Sequence, residues 1–307
     1  MIRILGFGRR SERGQMTALM AVSIVALCAM GAFVMDVGSW FQAHRATQSV
    51  ADAAALAGAQ KLPADTAAAQ ALANEYATKN GGDAPEITFA THTFANDTIT
   101  VKSQRVAPGF LSNVLGIASV NVKADATARA YNLGSAQYVA PLGVWEGHPM
   151  ISGGNCPCFG DSYTTTIDLD TGRPSLGAFK ILNIDGSYGG TGEDTLVDWM
   201  TNGYDGYMDT GWYYSDPGAK WNTIGFEDAV LSRVGTEVLF PVYRSVREQG
   251  AGYEYDVIGW IGFYVKQYIA RGNGGAVTGY FSRVVWEGLA SDSGENFFGA
   301  AVVKLVG

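Results

Sequence analysis

Soft metal ligands are scarce: three cysteines and three histidines in 307 residues leave too few for a structural zinc site of the usual four-ligand kind. Charge is scarce as well. Only 16% of the chain is Asp, Glu, Lys or Arg, and the balance of 21 basic to 29 acidic side chains gives a net charge of -8. Binding a phosphate backbone needs clustered Lys and Arg that release counterions, so nucleic acid is not an expected partner. No Gly-x-Ser-x-Gly elbow, Walker loop or His-Glu-x-x-His motif occurs, and His44, His92 and His148 stand apart from any serine or cysteine partner motif. Catalysis is therefore not expected. What is abundant points elsewhere: 47% hydrophobic residues, 40 glycines, 15 tyrosines and 7 tryptophans favour strands and turns, and exclude a coiled coil or helical bundle over most of the length.

Residues 16–35, MTALMAVSIVALCAMGAFVM, carry no charge. At about 1.5 Å per residue such a helix covers roughly 30 Å, the thickness of a bilayer's hydrocarbon core. Arg3, Arg9, Arg10 and Arg13 precede it with only Glu12 against them, whereas 17 basic and 28 acidic residues follow. The positive-inside rule then leaves residues 1–15 in the cytoplasm and the chain from Asp36 onward outside, a single-pass arrangement. A cleaved secretory signal shares the basic start and apolar run, but its apolar core is about 7–15 residues, shorter than this one. Helical character also continues without a break, which favours a retained anchor. From Ser39 to Lys61 the sequence is alanine-rich and lacks Pro, and Trp40, Ala43, Thr47, Val50, Ala54 and Gly58 set mostly small side chains along one stripe where another element could approach closely. Pro63 predicts the stop near Leu62.

These residues resemble the N-terminal segment of the TadE/TadG-like family of tight-adherence (Flp) pilus-assembly proteins. The marks are Arg13, Gly14 and Gln15 before the apolar run, Asp36 and Gly38 just after it, then Arg45, Gln48 and Asp52 with the alanine run that follows. The resemblance implies membrane topology and a pilus or cell-surface context, with the lipid bilayer, other pilus-assembly or surface proteins, and further copies of the chain as partners. Leu19, fifth after Gly14, stands where pilin precursors carry Glu, so processing by a prepilin peptidase does not follow. The string Asp185 to Gly189 lacks the second serine of the adhesion loop found in longer relatives, and that domain is not predicted.

Beyond Pro63, residues 64–82 predict a second helix with Ala67, Leu72 and Tyr76 inward. EITFATHTF and DTITVKSQRV predict a hairpin turning at Ala95–Asp97, GFLSNVLGI a short helix, and SVNVKADATARAY a third strand with alternation through Val120, Val122, Ala124, Ala126 and Ala128. Residues 36–132 thus read as a small pilin-like α+β module. From Leu133 the composition changes: six of the seven tryptophans and thirteen of the fifteen tyrosines lie beyond it. Residues 133–307 read as a second, mostly antiparallel β domain, with short helices at EDTLVDWMTNG and FEDAVLSRVG. The class expected for the whole is α+β.

Three features could carry chemistry in the exterior. Cys156 and Cys158 lie where oxidising conditions permit a disulfide, with two free thiols or an intermolecular bridge as alternatives. Nine carboxylates between Asp161 and Asp209 face only Arg173 and Lys180; Asp168, Asp170 and Asp185 are the candidates for a calcium ion, and solvated turn residues are the plainer alternative. Trp212, Tyr213 and Tyr214, with Tyr204 and Tyr207, could stack on sugar rings, which would make the chain an anchored carbohydrate-binding or adhesion module; filling a glycine-rich core is the other use for them.

Overall fold

A computed structural model describes residues 12–154, 156–169, 180–215, 223–249, 252–271 and 274–306. Along the chain run α1 (Glu12–Ala59), α2 (Thr66–Lys79), β1 (Glu86–Ala90), β2 (Thr98–Pro108), β3 (Ser119–Ala136), β4 (Leu142–Trp145), α3 (Pro149–Ser152) and β5 (Thr165–Leu169). Then follow β6 (Lys180–Ile181), α4 (Glu193–Asn202), β7 (Met208–Asp209), β8 (Gly211–Tyr214), α5 (Ile224–Ser232), β9 (Glu237–Gln249), β10 (Gly252–Arg271), β11 (Gly274–Ser282), β12 (Val284–Val285), β13 (Gly288–Ser291) and β14 (Ala300–Val306). The fold is α+β, with the long apolar helix first and mixed sheets with short helices after it.

The far half of α1 is covered, whereas residues 16–31 are all exposed. Val50, Ala51, Ala54, Ala55 and Ala59 are buried against α2 and the first sheet, whereas no residue in the most apolar window of the helix is buried. Asp65 caps α2 by accepting from the Ala68 N–H at 2.8 Å. The inward face of α2 is Ala69, Ala73 and Ala77, one residue or more off the expected Ala67, Leu72 and Tyr76. The reason lies in α1: its alanines and Gly58 bring the helices so close that only a stripe of small side chains fits between them. Tyr76 faces solvent instead.

The first sheet orders its strands β1-β2-β3-β14-β12, with β7 and β13 also pairing β3. Its helix-covered face is made of Ile99, Val101, Ala126, Ala128, Ala130 and Ala301. β1 ends at Ala90 and not at Phe94, because the next residues leave the ladder to wrap the Asp97 carboxylate. The second sheet runs β5-β11-β10-β9-β4-β6, with β8 on β10. Trp260, Phe240, Phe263 and Phe281 fill its core beside Leu196 and Met200 of α4 and Phe226 and Val230 of α5. Between the named strands, all pairings are antiparallel except β4 with β9 and β12 with β14.

The last strand joins the two layers. Successive side chains of a strand point to opposite faces, and in β14 Ala301 enters the helix-covered core while Ala300 and Val302 enter the aromatic one. β3 likewise passes unbroken from the helix-covered region to Leu133 and Ala136 in the aromatic core. Strand residues apolar on both faces are what a two-sided burial requires.

Candidate functional site

Of the residues singled out in the sequence, Asp36 stands where α1 leaves its apolar stretch. Met35 is exposed, and one residue later Asp36 is only 2% exposed. Its Oδ1 accepts from the Phe110 N–H at 2.8 Å, and its Oδ2 accepts from Leu111 at 3.0 Å and Ser112 at 2.5 Å. These donors belong to the loop at the tip of the β2–β3 hairpin, which turns on a single helical turn at Ser112–Leu115 closed by Gly116 with a left-handed φ of 85°. The short helix expected over GFLSNVLGI shrinks to that turn because Gly109 and Gly116 bracket it. An ionised carboxylate beside a hydrocarbon run is costly unless hydrogen-bonded. Three backbone donors meet that need, and they tie the hairpin tip to the helix at the boundary.

Further contacts repeat the link up the helix. Trp40 Nε1 donates to the Pro108 carbonyl at 3.4 Å. Gln48 Nε2 donates to Asp52 Oδ1 at 2.7 Å and to the Asp125 carbonyl of β3 at 3.0 Å. The Arg45 guanidinium lies 5.6 Å above the Phe41 ring. A Cβ on Gly38 would meet nothing within 4 Å, whereas one on Gly58 would lie 2.6 Å from Ile99 Cδ1 and 3.0 Å from the Ala69 carbonyl oxygen. Gly58 is therefore the close-approach point of α1, α2 and β2. Arg13, Gly14 and Gln15 lie in the first turns of α1.

A second buried carboxylate, absent from the sequence reading, fixes the β1–β2 turn. Asp97 accepts from the N–H groups of His92 (3.0 Å), Thr93 (2.7 Å) and Phe94 (2.9 Å) and from the Thr98 hydroxyl (2.8 Å). Arg129 Nε stands 3.4 Å from it; the pair is within ionic reach but lacks hydrogen-bond geometry. Burial alone would raise the Asp97 pKa, but the Phe94, Thr93, Thr98 and His92 donors outweigh it and hold the pKa below its ordinary value.

The exterior candidates are dispersed. Cys156 and Cys158 are joined in a disulfide with a Cα–Cα distance of 4.5 Å. Asp168 lies on β5 opposite Ala276, Asp185 accepts from the Ser187 N–H at 2.9 Å in a turn, and Asp170 falls outside the described residues. Among the described residues no three His, Cys, Asp or Glu side chains come together to hold a metal ion. His148 is buried, its Nδ1 accepting from the Met150 N–H at 3.1 Å as the cap of α3, and burial pushes its pKa down. The aromatic group divides. Tyr214 is buried against Tyr188 with centroids 4.6 Å apart, and Tyr204 packs edge-on to Trp199. Tyr213 donates its hydroxyl to the Asp209 carbonyl at 2.8 Å. Trp212 and Tyr207 face solvent, and Arg247 covers one face of the Trp212 ring at 4.1 Å.

The Tad family model, described as "Putative Flp pilus-assembly TadE/G-like", matches residues 14–61. That match runs from the first turn of α1 to just past its end, so the resemblance read from the sequence is a family match over this segment and a minor part of the chain. α1 is long and apolar enough to cross a membrane, by length and composition. No curated protein and no solved structure matches the chain.

Proposed function

We propose that the protein is a membrane-anchored, outward-facing component of Flp (tight-adherence) pilus assembly, working through contacts with other subunits and not through catalysis. The observation that carries this is the coincidence of the matched segment, residues 14–61, with one helix whose residues 16–31 are left unpacked and whose second half is the spine of a folded body. The orientation rests on Arg3, Arg9, Arg10 and Arg13 before the span and the acidic excess after it. The test is genetic and direct: a strain lacking this chain should lose assembled Flp pili and regain them with the wild-type chain. Unchanged pilus number and adherence in the deleted strain would refute it. A second reading, an anchored carbohydrate-binding module, has the solvent-facing rings of Tyr188, Tyr207 and Trp212 in its favour. Retention of the full chain on a glycan array would support that reading, and silence across all glycans would remove it.

A further inference from the structure

From Val106 to Val122 the chain contains no charged residue, the stretch that forms the tip of the β2–β3 hairpin. Register shows where charge resumes. Arg105 pairs with Val122, and Gln104 pairs with Lys123, so the two basic side chains stand one step apart across the hairpin and bracket the tip. Beyond them Ala107 is buried, but four larger apolar side chains are not covered by protein: Val106 is 66% exposed, Phe110 63%, Ile117 47% and Leu111 44%. A soluble surface seldom concentrates so many bare apolar groups.

The height of this tip along α1 is fixed by hydrogen bonds. Asp36 holds Phe110, Leu111 and Ser112, and Trp40 reaches Pro108, whereas Gln48, three helical turns further on, reaches Asp125. The hairpin therefore descends α1 toward its apolar half and ends level with the residue that follows Met35. Trp40 stands about one helical turn further along, where the interface between headgroups and hydrocarbon favours tryptophan.

We infer that the tip of the β2–β3 hairpin, Val106 to Ile117, is a second membrane contact that sinks Phe110, Leu111 and Ile117 into the lipid interface, with Arg105 and Lys123 at headgroup level. The occupant is lipid because the patch is continuous with the lipid-facing surface of α1. Asp36, which holds the tip, is followed on α1 by the exposed Val37 and Phe41, and the basic rim of the tip matches anionic headgroups. Arg105 spends one Nη2 proton on the Gly81 carbonyl at 2.6 Å, which leaves further donors of the guanidinium for a phosphate. A single helix lets the body swing and spin above the bilayer, and a foot braced against the interface would fix its tilt and present one face to neighbouring subunits.

The inference rests on the proposed anchoring, and the test separates the two. The full chain, in nanodiscs of phosphatidylcholine and phosphatidylglycerol, carries one nitroxide at a time: on native Cys28 in the span, or on Phe110→Cys, Ile117→Cys or Lys61→Cys in a Cys28→Ala background. Accessibility to oxygen against an aqueous nickel complex reads depth. The expected result is a ratio at 110 and 117 several-fold above that at 61 and below that at 28. Water-like ratios at 110 and 117 with a lipid-like ratio at 28 would overturn the foot alone. Water-like ratios at all four would overturn the anchor too. Shielding of 110 and 117 from both reagents would mean that protein covers the tip, and would overturn the assignment to lipid.

Discussion

Replacing Asp97 by alanine tests how far a single buried carboxylate sets the geometry of the first sheet. The side chain is fully buried, accepts four hydrogen bonds and faces Arg129, which is itself 12% exposed. A hydrogen bond to a charged group contributes about 1.5–3 kcal/mol, but four do not add, because three of the donors sit in a turn that water can enter once the carboxylate is gone. Arg129 also keeps Asp292 at 3.1 Å and the Tyr131 ring at 4.5 Å. The governing magnitude is the cost of stripping one partner from a buried pair, about 3–5 kcal/mol, and the lower end applies here. With an m-value near the top of the ~1–3 kcal/mol/M range for urea, the midpoint of the full chain in mild detergent should fall by about 1 M, read by far-UV circular dichroism. The pH dependence has a definite sign. The folded pKa lies below the ordinary 3.8, so the stabilisation is complete above that value and is lost as pH falls through the folded pKa. The gap between wild type and Asp97→Asn should narrow in that acid window. A midpoint shift below about 0.3 M, which is under ~1 kcal/mol at that slope, or a gap that does not change with acid, would refute the argument.

Gly58→Leu should destabilise the body by about 1–3 kcal/mol through overpacking, whereas Gly58→Ala recovers about 1 kcal/mol of helix propensity and should lie nearer to neutral; equal midpoints for both would deny the close approach of α1 and α2. Asp36→Asn removes the charge and replaces one of the two accepting oxygens by an NH2 group, which opposes either the Phe110 N–H or those of Leu111 and Ser112, so hydrogen exchange at those three amides should accelerate while exchange in β10 stays the same. Unaltered exchange at the tip would break the link between the helix and the hairpin. Alkaline phosphatase fused after Gly307 should be active in intact cells, because the enzyme matures only outside the cytoplasm; an inactive fusion at normal protein level would reverse the proposed orientation.

Local signals were legible where the physics is local. Alanine content and the absence of Pro announced α1 and α2, and the change to a tyrosine- and tryptophan-rich composition beyond Leu133 announced mostly antiparallel strands there. Alternation of small residues announced the helix-facing side of β3, where Ala124, Ala126 and Ala128 are buried. The choice between Leu72 or Tyr76 and Ala69 or Ala73 as the inward face of α2 was not local. Large apolar side chains look inward by their own hydrophobicity, yet the partner helix had already set a separation only alanine can occupy. Asp36 was visible as a mark by resemblance, but its partners lie 74 to 76 positions away, and no periodicity reports such a bond. Asp97 looked like an ordinary turn aspartate until the backbone donors around it were in place. One sequence signal did exist for the proposed membrane contact, the uncharged stretch 106–122 in a hairpin whose other residues are rich in charge. Its meaning depends on height above the bilayer, which only the pairing of β2 with β3 and the capture by Asp36 supply. In the proposed anchoring the helix sets the membrane level, the Asp36 carboxylate pins the loop to that level, and the loop's composition then reads as that of an interface.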